Sequence, residues 1–147
     1  MAEKKLEGAG LRGQVAGQTA LSTVGKEGKG LTYRGYAIEE LSEKASFEEV
    51  AYMLLYGNLP SQFELSKYKE KLKKYRELPS ELKKVLELIP ASAHPMDVLR
   101  TGCSFLGNIE PEGDFSNQTD IADRLISIFP SVVCYWYRYS HDGVSIE

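Results

Sequence analysis

The sequence predicts a mainly α protein with a small β element at its amino end. Three observations lead there. Glycine-rich, β-prone runs are confined to the first 36 residues; from Ser46 onward apolar residues recur at the three-to-four spacing of helices; and prolines, glycines and capping residues divide that second part into segments of helical length. The chain has 147 residues, 42% hydrophobic and 27% charged, which suits one folded domain around a single apolar core.

At the amino end, "TALSTV" and "LTYRGY" are separated by "GKEGKG", the pattern of a β-hairpin. Ser46 and Glu49 then stand in the S-x-x-E relation of a capping box, Phe47, Val50, Ala51, Leu54 and Leu55 share a helical face, and Gly57 ends the run. After Pro60, Ser61 and Glu64 repeat the box, and Leu65, Tyr68, Leu72 and Tyr75 form a second stripe opposite a lysine-rich face. A third helix follows Pro79 and Ser80, with Leu82, Val85, Leu86 and Ile89 on its buried side, and Pro90 stops it. The fourth begins at "HPMD": His94 falls at the cap, Pro95 at the first helical position, and Asp97 at the positive helix end. Leu99, Gly102, Cys103 and Leu106 continue it, with Gly107 and Asn108 as its predicted stop. The last starts near Asn117 and passes Ile121, Leu125, Ile128 and Val132, with a bend expected at Pro130. In "CYWYRYS", Tyr135, Trp136, Tyr137 and Tyr139 point nearly all round the axis, which predicts neighbours on every side, at a subunit interface or in sequence not included here.

Composition excludes several classes of function. A net charge of −3 gives no concentrated positive face for nucleic acid or an anionic membrane. "MAEKKLEGAG" lacks the apolar segment of a signal peptide, and "IFPSVVCYWY" falls short of the roughly 20 residues that cross a bilayer, so a cytoplasmic protein is expected. Cys103 and Cys134 have no CxxC spacing and read as buried thiols rather than as a disulfide framework or zinc site. Neither histidine is placed for catalysis: His94 caps a helix, and His141 lies in "SHDG", where Asp142 is too close in sequence to orient its ring and Asp142-Gly143 reads as a turn. The glycine-rich "GLRGQVAG" and "GKEGKG" do not fit GxxxxGK[ST]. The basic run Lys67, Lys69, Lys71, Lys73, Lys74 and Arg76 reads as a solvated helix face from which one cation can reach an anionic ligand.

The blocks "AGQTALSTVGKEGKGLTYRGYAIEEL", "SFEEVAYMLLYGNLPS", "SAHPMDVLRTGCSFLG" and "FPSVVCYWYRYSHDG" resemble the citrate synthase family from about Gly10 to the final residue, in the family's own order. "AGQTALSTVGK" and "SHDG" tilt the resemblance towards the bacterial branch that makes 2-methylcitrate, with citrate formation from acetyl-CoA as the near alternative. The resemblance implies a metal-free acyltransferase that condenses propionyl-CoA with oxaloacetate. An aspartate removes the proton beside the thioester, histidines stabilise the enol and assist at the keto group, and arginines hold the carboxylates. It also implies that these residues belong to blocks that follow this sequence, so the chain is expected to be an amino-terminal portion, inactive alone, with no catalytic residue of its own. On this reading residues 1–36 are an arm and hairpin, and 37–147 are part of a large helical domain that forms a homodimer through its helices. His94 lies in the family's "HPM", where it is not catalytic. Lys73 is a candidate contact for an anionic group of the substrate, and Arg12 a weaker one. The reading from another class is a non-catalytic helical oligomerisation module.

Overall fold

The computed structural model describes residues 15–25 and 30–146. It divides into two compact units, Met1–Leu59 and Pro60–Glu147. The expected turn "GKEGKG" falls largely, and Arg12 wholly, outside the described residues.

In the first unit, β1 (Ser22–Thr23) pairs antiparallel with β2 (Thr32–Tyr33), as the hairpin pattern predicts. A third strand, β3 (Tyr36–Ala37), was not foreseen; it pairs with β2 through Tyr33 opposite Tyr36, leaving Arg34 and Gly35 as a two-residue turn. Helix α1 (Ile38–Lys44) was also not foreseen. It has seven residues, no side-chain cap, and only Leu41 buried, too little for a periodic signal. Helix α2 (Phe47–Tyr56) opens on the predicted box: Glu49 N–H donates to Ser46 Oγ, and Ser46 N–H donates to the Glu49 carboxylate at 2.7 Å. Gly57 closes it at φ 104°, a conformation that costs glycine little. The expected stripe needs correcting, because Met53 is fully buried while Phe47 is exposed. Phe47 sits at the first helical position, where the chain has only just entered the turn, and so it escapes the packed face.

The second unit is helical throughout: α3 (Gln62–Lys74), α4 (Ser80–Glu87), α5 (Pro95–Ile109), a 3₁₀ turn (Phe115–Asn117) and α6 (Gln118–Asp142). Ser61 and Glu64 form the second capping box. His94 caps α5 as predicted, its Nδ1 accepting from Met96 N–H at 3.2 Å. The helix runs past Gly107 and Asn108 to Ile109; Asn108 Nδ2 donates to Ser104 O inside the helix, and Glu110 closes it by donating to Leu106 O. Glycine near a helix end stops it only when it turns left-handed, and Gly107 does not.

Leu82, Leu86, Val98, Leu106, Ile128, Val132, Tyr135 and Trp136 form the core where α4, α5 and α6 meet. Gly102 brings α5 against α6: a Cβ there would lie 3.1 Å from Val132 Cγ1. Helix α6 continues through Pro130 to Asp142. Much of its aromatic end is covered from within this unit. Tyr135 and Trp136 are buried, and Trp136 Nε1 donates to Ile89 O, just past the end of α4. Tyr137 is half exposed. The shortage of neighbours inferred from the sequence therefore applies to Tyr137 and not to the whole cluster. Among the described residues no helix is long and apolar enough to cross a membrane.

Candidate functional site

A cleft of about 790 Å³ opens where the end of α3, the end of α5 and the start of α6 converge. Helical periodicity gives it an apolar floor, because Leu106 on α5 and Ile121 and Leu125 on α6 turn towards the same space. Tyr75 and Lys74 stand at one wall, with Glu110, Glu112, Asp120 and Arg124 around the rest.

Arg124 organises that rim. Its guanidinium forms a paired contact with Glu110 at 2.9 and 3.1 Å, and it also donates to the carbonyls of Tyr75 and Glu77. One α6 side chain thus holds the α3–α4 link and the end of α5 together. Four of its five N–H donors go to the protein itself, which makes it a clamp between these elements. Beneath it, Asp123 is fully buried and accepts from Tyr68 Oη at 2.8 Å and from Lys71 Nζ at 2.7 Å; Lys71 also reaches Asp120. This network joins α3 to α6 with its charges paired.

The chemistry available in the cleft is limited. Cys103 lines it, but no imidazole stands there to form a thiolate pair. Glu110 and Asp120 are committed to ion pairs. Among the described residues no group of three or more His, Cys, Asp and Glu side chains is gathered to hold a metal ion.

The residues singled out from sequence are scattered. Lys73 is exposed, has no ion pair among the described residues, and lines neither this cleft nor the smaller one of about 410 Å³ beside it; Lys74 and Tyr75 line both. His94 is exposed and serves its cap. His141 and Asp142 are in the last turn of α6, and the left-handed turn residue is Gly143. His141 stacks on Tyr137 with centroids 4.2 Å apart, while Asp142 pairs with Arg138 at 2.6 Å, so no His-Asp pair forms. Cys103 is partly buried, whereas Cys134 is exposed, contrary to the expectation of two buried thiols; Pro130, Cys134, Tyr137 and His141 follow a helical spacing along the outer side of α6.

Three shifted groups lie outside the cleft. Burial, and then the hydrogen bond to Glu87, pushes the Tyr135 hydroxyl above its ordinary value. The Ser116 hydroxyl and N–H hold Asp114 below the usual carboxylate range as it caps the 3₁₀ turn. The backbone at Glu81 itself, followed by the Ser80 hydroxyl, lowers Glu81 at the start of α4.

Sequence reasoning missed Arg124 and Asp123. Most of their partners lie about 50 residues away on α3 and its following link, and Glu110 lies 14 residues away at the end of α5; nothing local announces such pairing.

Comparison with known proteins gives this architecture its context. The family model described as "Citrate synthase, C-terminal domain" matches residues 10–147. The 2-methylcitrate synthase of Shewanella oneidensis is 67% identical over 98% of this chain, which spans 38% of that protein. The 2-methylcitrate synthase 2 of Corynebacterium glutamicum is 46% identical over 84% of the chain and 33% of its own length. A solved citrate synthase from Thermotoga maritima superposes with a TM-score of 0.80 at 35% identity, covering 95% of this chain and 36% of that one. The chain therefore spans under two-fifths of these relatives. With the match running from residue 10 to residue 147 and the helical fold shared with a solved relative, the chain belongs to the citrate synthase family.

Proposed function

We propose that this chain forms part of the large helical domain of a 2-methylcitrate synthase, which converts propionyl-CoA, oxaloacetate and water to 2-methylcitrate and free CoA without a metal. The observation that carries this reading is the 67% identity to the 2-methylcitrate synthase of Shewanella oneidensis over 98% of this chain.

Carbon–carbon bond formation beside a thioester needs a base for the α-proton and a donor at the developing enolate oxygen. On this reading the acid–base set comes from segments of the enzyme beyond these 147 residues, and the helices described here supply its scaffold. His94 and His141 support that division, since the first is engaged as a cap and the second is stacked at a helix end. The arm and hairpin, residues 1–36, stand outside the helical domain, residues 37–147. The enzyme is a cytoplasmic homodimer associating through its helices. Lys73 contributes positive charge to an anionic part of the CoA ester or the acid.

The experiment replaces the matching part of the Shewanella oneidensis relative with this chain and measures thiol release with each acyl-CoA. The reading expects propionyl-CoA to be preferred over acetyl-CoA, within the roughly 10–200-fold range that one methylene supports. Preference for acetyl-CoA would favour a citrate synthase instead. In the same graft, Lys73→Ala is expected to raise KM for a substrate while leaving kcat nearly unchanged; an unchanged KM removes Lys73 from the site.

A further inference from the structure

Arg34 stands in a conformation that its own turn does not favour. It is the first of the two residues joining β2 to β3, at φ 50°, and Gly35 follows at φ 91°. Hairpin turns with two positive φ values select Asn, Asp and Gly, because an L side chain is crowded there. Arginine is therefore held in this place by something outside the turn.

Two contacts do so. Arg34 N–H donates to Leu21 O at 2.8 Å, tying the turn to the start of β1. Its guanidinium Nη2 donates to Leu54 O at 3.0 Å. Leu54 is in the last turn of α2, where the final four carbonyls lack partners within the helix and the negative end of the macrodipole favours a cation. Helix α2 has no basic residue of its own in that turn, and Arg34 supplies one from 20 residues upstream. The cost is visible in the same side chain, since Nε is buried with no hydrogen-bond partner.

We propose that Arg34 is a latch that docks the amino-terminal hairpin on the carboxyl end of α2. The hairpin is otherwise lightly held: its strands are two residues long, and Leu21, Val24 and Tyr36 are exposed. Leu31, Thr32 and Tyr33 are partly buried, and to their packing Arg34 adds one charged hydrogen bond that opposes both the preference of the turn and the satisfaction of Nε. The hairpin opens and closes on α2 as a unit, separately from the unfolding of α2 itself.

Hydrogen exchange of the full chain, read by mass spectrometry on peptides covering residues 15–38 and 47–56, tests this. Arg34→Gly and Arg34→Asn install residues that the turn prefers. With a latch, both speed exchange across the hairpin by about tenfold, the factor corresponding to loss of one charged hydrogen bond, while α2 keeps most of its protection. Arg34→Lys, whose ammonium still reaches a carbonyl, recovers part of the loss. Unchanged or slower hairpin exchange in the Gly and Asn variants would overturn the proposal. So would a lysine variant as fast as the glycine one, or an α2 unprotected in the wild-type chain.

Discussion

Single residues in this chain divide by whether their partner is near in sequence. Ser46, Ser61 and His94 each satisfy N–H groups two or three positions ahead, and all three were legible from spacing alone. Asp123, Arg124 and Arg34 act on groups 14 to 55 residues distant, and the sequence offers no local sign of them. His94→Ala is expected to cost about 1 kcal/mol, the value of a helix cap, as a lower midpoint in urea, with thiol release by the graft unaffected; a large fall in kcat would make His94 catalytic after all. Asp123→Ala removes the buried carboxylate that accepts from the Tyr68 hydroxyl and the Lys71 ammonium, and should cost about 2 kcal/mol. A midpoint within error of the wild type would show that the network contributes nothing net.

At the scale of elements, the long amphipathic helices were readable because their buried stripes repeat over several turns. Short elements were not: β3 has two residues and α1 a single buried side chain, and the expected end of α5 gave way to a glycine that stayed helical. Contact between elements is equally hidden, and Gly102 shows why. Its value lies in the missing Cβ opposite Val132, so Gly102→Ala should destabilise by up to about 2 kcal/mol net, an overpacking cost of about 1–3 kcal/mol less the roughly 1 kcal/mol by which alanine is the better helix former. An equal or higher melting temperature would mean that Val132 yields freely.

The junction of α4 with α6 gives a prediction with pH. Tyr135 Oη donates to Glu87 at 2.6 Å, and burial first, then Glu87, raises its folded value above the ordinary 10.0. A folded value above the unfolded one means that its stabilising contribution is complete below about pH 10 and is lost as pH rises through the folded value. The wild-type melting temperature should therefore fall more steeply above pH 10 than that of Tyr135→Phe. Parallel curves would show that the proton on Tyr135 is not coupled to folding.

For the molecule as a whole, the resemblance in four extended blocks already pointed to the family, and the matched span and shared fold place the chain in it. The aromatic end of α6 was only half legible, because the sequence shows that Trp136 needs neighbours but not that α4 provides them. Under the proposed function these helices build a scaffold, and the groups that move protons come from the rest of the enzyme. Thiol release from propionyl-CoA and oxaloacetate, measured side by side for the purified 147-residue chain and for the graft carrying it, tests this most directly. Turnover by the graft with only background release by the chain is the predicted result. Turnover by the chain alone, or a folded graft with none, would contradict it.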